Sequence, residues 1–128
     1  MRYLSRLILL SSALLPTVAF GDIAMAINRS KAGTVDAMAD VQCAQEVGQS
    51  LGTCTAVCAR VEESAVVTVT FQNGFRRQLM FSDETFLRGD ATMSGVGTDT
   101  DWRLVDGIYQ IRVDDQRFEI PETLVLGE

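Results

Sequence analysis

Histidine is absent from this chain, which removes most of the reactive constellations a small protein can build. Ser-His-Asp and Cys-His nucleophilic pairs both need an imidazole base, and His-ligated metal sites go with them. Carboxylates are plentiful, but glycoside cleavage needs one acid whose pKa is raised in an apolar pocket. Most acids here fall at turns or on outward strand faces, where they stay solvated. No residues supply a nucleophile and its base, so neither enzymatic activity nor a cofactor is expected. The densest set of hard oxygens is Asp99-Thr100-Asp101 with Asp106. It makes a calcium-binding module an alternative, although such a site takes six or more oxygens.

The thiols Cys43, Cys54 and Cys58 are the other reactive groups. With no histidine and no Cys-x-x-Cys pair they match a zinc site poorly, and no bound metal is expected. Cys54 and Cys58 lie in TCTAVCARV, a run that reads as a strand from about Thr53 to Glu62. At about 3.3 Å per residue they stand about 13 Å apart, too far for a disulfide. Cys43 therefore pairs with one of them. The segment 46–53 closes most easily on Cys54, which leaves Cys58 free.

The remaining candidates are binding groups. The stretch 89–100, GDATMSGVGTDT, holds three glycines, no aromatic residue and no alternation. It is the one long loop of the chain, and long loops on compact scaffolds often carry function. Ser94 can donate or accept a hydrogen bond there, and Gly95 and Gly97 let a partner approach the backbone closely. Arg77 is the other candidate, because it interrupts an otherwise apolar strand face.

The hairpin Ala65 to Phe81 positions Arg77, and its register is readable. A two-residue Asn73-Gly74 loop would mix apolar and polar residues on both faces. A three-residue loop, Gln72-Asn73-Gly74, pairs Phe71 with Phe75, Val69 with Arg77, Val67 with Leu79 and Ala65 with Phe81. One face is then apolar, and the register follows, because a one-residue slip inverts every side chain. An unpaired buried guanidinium is very costly. Arg77 is accordingly expected at a barrel mouth, its stem buried and its head reaching water, where it could anchor an acidic group of a partner.

The rest of the mature chain continues in the same manner. A turn at Asp83-Glu84 sets Phe86 opposite Phe81 and Leu87 opposite Met80. Asp106-Gly107 as a two-residue turn pairs Leu104 with Tyr109 and Trp102 with Ile111, burying Trp102. Asp115-Gln116 as the next turn pairs Val113 with Phe118 and Ile111 with Ile120. The outer face then carries a charge ladder, with Asp101, Arg112 and Glu119 side by side and Asp114 against Arg117. Pro121 ends the strand, and TLVLGE is read as a last edge strand. Seven or eight short strands joined by tight turns predict an all-β antiparallel meander barrel, with a sandwich as the alternative.

Upstream, Arg2 and Arg6 precede LILLSSALLPTVAF, an apolar run too short for a bilayer span. Small residues follow, offering cleavage after Ala19, after Gly21, or later in Ala24-Met25-Ala26. Residues 1–21 read as a secretory signal peptide. Residues 22–40 read as a flexible or partly helical leader, and 41–128 as the barrel domain. The whole chain has a net charge of −6. Without Arg2 and Arg6 nine basic residues face seventeen acidic ones, a balance that opposes nucleic acid and anionic membranes and suits a basic partner. No membrane span is expected after processing, and the domain is expected to be a monomer.

The signal peptide, the early cysteine, the TVTFQNG hairpin, the Met93-Ser94-Gly95 loop and the Trp102 strand together resemble the periplasmic C-type lysozyme inhibitor family. That family's members are eight-stranded barrels that block the lysozyme cleft with a loop serine and a strand lysine. The resemblance implies that Ser94 is an inhibitory residue. The chain has no lysine after Lys31, and Arg103 is the stand-in for the family's lysine. The run TMSGVGTDTDW is also similar to one in an uncharacterised family of small proteobacterial secreted β-proteins. The expected protein is thus a secreted or periplasmic non-catalytic binding or inhibitor module, with a lysozyme-like basic protein as partner. A structural envelope accessory domain without a ligand is the runner-up.

Overall fold

The computed structural model describes residues 18–90 and 99–127, with side chains from Gly21 onward. Apolar and polar residues alternate along most of its strands, so each strand has one face to cover. Among the described residues eight result: β1 (Ala37–Ala44), β2 (Gly52–Val61), β3 (Ser64–Thr70), β4 (Arg76–Ser82), β5 (Thr85–Gly89), β6 (Thr100–Val105), β7 (Ile108–Val113) and β8 (Gln116–Pro121). They form one antiparallel sheet in the order β5-β4-β3-β2-β1-β8-β7-β6, curled into a nearly closed barrel. Two meanders, β1–β5 and β6–β8, are joined where β1 pairs with β8, setting Cys43 opposite Phe118. The ends of the sheet, β5 and β6, flank a seam. Across it the buried Tyr109 hydroxyl donates to the Glu84 carbonyl at 2.8 Å.

The central hairpin has the register its pattern predicts, with Ala65 opposite Phe81 and Val69 opposite Arg77. The Phe71 N–H donates to the Phe75 carbonyl at 2.8 Å, and Gly74 sits at φ 91°. The Asp106-Gly107 turn is also as read, with φ values of 53° and 78°. Trp102 faces Ile111 and Leu104 faces Tyr109. Trp102 is only half-buried and Leu104 is exposed, because β6 ends the sheet and no described strand pairs with its far side.

Elsewhere the structure departs from the sequence reading. The β7–β8 turn is Asp114-Asp115, so Ile111 faces Phe118 and Val113 faces Gln116. A shift of two residues keeps every side chain on its face, so hydrophobic patterning cannot detect it. Asp114 takes φ 52°, a conformation Asp tolerates well. The outer ladder changes accordingly: Arg112 faces Arg117, and Glu119 faces Gln110. A bulge between Met80 and Phe81 keeps Phe86 opposite Phe81 but puts Arg88, not Leu87, opposite Met80.

The C-terminal run is a helix, α2 (Glu122–Leu126), rather than an edge strand. Leu124 and Val125 are both buried in the barrel core. Adjacent residues share a helical stripe but would point to opposite faces of a strand. Arg60 donates to the carbonyls of Val125 and Leu124 at 3.0 and 2.8 Å, serving the otherwise unpaired end of this helix. The span read as a leader contains most of α1 (Val18–Lys31) and the first four residues of β1. Ile23 and Ala26 lie on one helical face and pack on Val66 and Met80 outside the barrel. No described helix is long and apolar enough to cross a membrane.

The disulfide joins Cys43 to Cys54, with Cα atoms 6.0 Å apart. It pins β1 to β2 beneath the loop 45–51. Cys58 is free and fully buried. Desolvation raises its thiol from the ordinary 9.0 to about 11, which keeps it protonated and inert.

Candidate functional site

Arg77 is 3 % exposed, so it does not reach water as expected. Its stem lies inside the barrel, and its head is satisfied there instead. Nε donates to the Gln116 side-chain oxygen at 2.9 Å, and Nη1 donates to the Asp90 carbonyl. The Asp90 carboxylate lies 3.6 Å from Nη1, and the Phe75 ring centroid 5.9 Å from Cζ. These contacts compensate a buried charge that would otherwise be prohibitive. Beside it, Gly89 admits Val113 so closely that an added Cβ would stand 3.0 Å from a Val113 methyl. A side chain there would wedge β5 away from β7.

Asp90 is also the residue from which the long loop departs, and its backbone is fastened. Its N–H donates to the Gln78 carbonyl at 3.0 Å, and its carboxylate accepts from the Gln78 N–H at 2.9 Å. Asp99, where the loop returns, is fastened in the same reciprocal way to Asp114. Its N–H donates to the Asp114 carboxylate at 2.9 Å, and its carbonyl accepts from the Asp114 N–H at 2.7 Å. Arg112 adds an ion pair to the Asp99 carboxylate at 3.3 Å. Ser94, Gly95 and Gly97 fall in residues 91–98, outside the described residues. Arg77 and the first foot of their loop are brought together; Arg103 is not part of that cluster.

Arg103 lies on the outer face of β6, where Nε donates to the Gln110 side-chain oxygen at 2.7 Å. It lines a groove of about 520 Å³ with Leu51, Asp101, Gln110, Arg112, Arg117 and Glu119. Arg112 also donates to the Asp114 carbonyl at 3.0 Å, and Arg117 to the Gln49 carbonyl. The groove adjoins the second loop foot through Arg112. It was not read from the sequence because it depends on loop 45–51 meeting β8. The available signal was three arginines at outward positions on consecutive strands.

The calcium alternative does not gain support from this geometry. Asp99 is tied to Arg112 and Asp114, while an Asp101 carboxylate oxygen accepts from the Trp102 N–H at 2.9 Å. Asp106 lies at the far end of β6, about 16 Å from Asp101 at the rise of an extended strand. Among the described residues no three Asp, Glu, Cys or His side chains gather to hold a metal ion.

Together these features define a small disulfide-stapled antiparallel barrel in which Asp90 and Asp99, flanking residues 91–98, are both fastened, with an arginine-lined outer groove. Comparison of the chain with protein-family models, curated proteins and solved structures found no match.

Proposed function

We propose that the protein is a secreted or periplasmic binding module of inhibitor type, acting without catalysis. The loop carrying Ser94, Gly95 and Gly97 is its contact surface, and a basic protein such as a lysozyme is its partner. The observation that carries this reading is the double anchoring of the loop, with Asp90 held by Arg77 and Gln78, and Asp99 held by Asp114 and Arg112. Fixed feet reduce the ordering cost that a loop contributes on binding. Arg77 is then a positioning residue for the loop, and Arg103 flanks its return on β6.

The chemistry of the chain supports the same reading. Its negative charge speeds encounter with a basic protein. A disulfide suits an oxidising compartment. Cleavage of the signal after Ala19 or Gly21 leaves Ile23 and Ala26 in place over Val66 and Met80, whereas cleavage after Ala26 removes both.

The test is capture of the disulfide-bonded domain on immobilised lysozymes, comparing wild type with a Ser94–Gly97 deletion. The deletion is expected to keep its thermal transition and lose capture. Equal capture by both proteins would refute the loop as the contact surface. Arg77→Ala is expected to weaken capture through the released Asp90 foot.

A further inference from the structure

The outer groove collects positive charge in an acidic protein. Arg103, Arg112 and Arg117 come from three adjacent strands, and Arg112 stands directly opposite Arg117. Like charges in that arrangement destabilise a sheet. With 17 acidic side chains against 11 basic ones in the chain, neutralising partners are abundant. Yet, of the three, only Arg112 has a carboxylate within ion-pair distance among the described residues.

The other two are held by neutral acceptors, Arg103 by the Gln110 amide and Arg117 by the Gln49 carbonyl. A neutral acceptor fixes the direction of a guanidinium without cancelling its charge. Each guanidinium has five N–H donors, so a single such bond leaves most of the fork available. Planar forks are suited to the paired oxygens of a carboxylate or phosphate. The groove's volume, about 520 Å³, lies within the range of small-ligand sites. Leu51 provides an apolar wall, while Asp101, directly opposite Arg112, and Glu119, two residues along β8 from Arg117, also line the groove and disfavour a polyanion filling the whole of it.

We propose that this groove is a binding site for an oxyanion, a phosphate or carboxylate group of a small ligand, held between Arg117, Arg112 and Arg103. The site shares Arg112 with the second foot of the loop but uses none of residues 94–97. The Asp99 carboxylate already neutralises Arg112, so Arg117 and Arg103, held by neutral acceptors, carry most of the attraction.

The test is a titration of the disulfide-bonded protein with inorganic phosphate and with citrate, followed by amide and arginine Nε–H resonances. Sodium chloride at matched ionic strength is the control for screening. Saturable shifts at Arg117, Arg103 and residues 49–51 are expected with the oxyanions and not with chloride. Arg117→Gln is expected to weaken binding at least tenfold, and Arg117→Lys to restore part of it. Arg103→Gln, at an exposed position, provides a second variant should Arg117→Gln fold poorly, and is expected to weaken binding severalfold. Chloride shifts equal to those of phosphate, or unchanged titrations in Arg103→Gln and Arg117→Gln, would overturn the site. Sedimentation with phosphatidylglycerol vesicles identifies the carrier: cosedimentation lost in Arg117→Gln assigns a lipid headgroup. Phosphate binding without cosedimentation assigns a soluble ligand. The Ser94–Gly97 deletion should titrate like wild type, which separates this site from the loop.

Discussion

Arg77 and Gln116 meet inside the barrel, with Nε 2.9 Å from the amide oxygen, although their strands β4 and β8 are not neighbours in the sheet. The bond ties opposite walls, and the same guanidinium reaches Asp90 at the loop's first foot. Arg77→Met is expected to cost about 3 kcal/mol, because it leaves Gln116 buried without its partner. Adding Gln116→Leu should recover part of that loss, since an apolar pair leaves no buried side-chain amide without its partner, although the Asp90 carbonyl still lacks its donor. Urea denaturation of the two single variants and the double variant measures the coupling. Additive losses would show that the two side chains do not act as a pair.

Cys58 gives a pH signature. Its folded pKa, about 11, lies above its ordinary value of 9.0 because burial disfavours the thiolate. The native state therefore holds this proton more tightly than the unfolded state. The corresponding stability is fully present below pH 9 and is lost as pH rises toward 11. Cys58→Ala should flatten that alkaline limb in denaturation measured from pH 8 to 11. Native protein should also resist thiol alkylation at pH 8 and react only on unfolding. Rapid labelling of the native protein would contradict the burial.

Trp102 tests the edge position of β6. It is half-buried, 5.9 Å from the Tyr109 ring centroid. Full core truncation of a Trp costs about 3–5 kcal/mol. Trp102→Ala should cost roughly half as much, about 2 kcal/mol, because one side of the ring already faces the seam. A loss above about 4 kcal/mol in chemical denaturation would mean that β6 packs more fully than an end strand can.

The features legible in the sequence were those controlled by side-chain parity and turn chemistry. Asn73-Gly74 and Asp106-Gly107 announced their hairpins, and strand spacing separated Cys54 from Cys58. The β7–β8 register was not legible, because Asp114-Asp115 and Asp115-Gln116 turns keep the same residues inside. That two-residue difference hid the site's chemistry: Gln116 was read into a turn, so Arg77 had no visible partner and was expected to seek water. The same shift turned an alternating charge ladder into the Arg112–Arg117 confrontation. The leader was legible only as flexible or partly helical, because only Ile23, Ala26 and Ile27 mark the apolar stripe of α1 and the surface it covers is assembled from β3 and β4.

That stripe leads to a prediction about processing. Val66 is fully buried and Met80 is 4 % exposed, although both point away from the barrel interior. They are covered by Ile23 and Ala26 of α1. Fully burying one Ile contributes about 1.5–3 kcal/mol. A chain beginning at Phe20 or Asp22 keeps that cover, and one beginning at Ile27 retains only Ile27 and Val61 against Val66 and Met80. On the proposed reading of residues 1–21 as a signal peptide, N-terminal sequencing of the processed protein is therefore expected to start at Phe20 or Asp22. A truncated domain starting at Ile27 should be less stable than one starting at Asp22 by about 2 kcal/mol in urea, and should bind more of a hydrophobic dye. Equal stability of the two forms would mean that α1 is dispensable to the barrel, and the later cleavage point would then carry no structural cost.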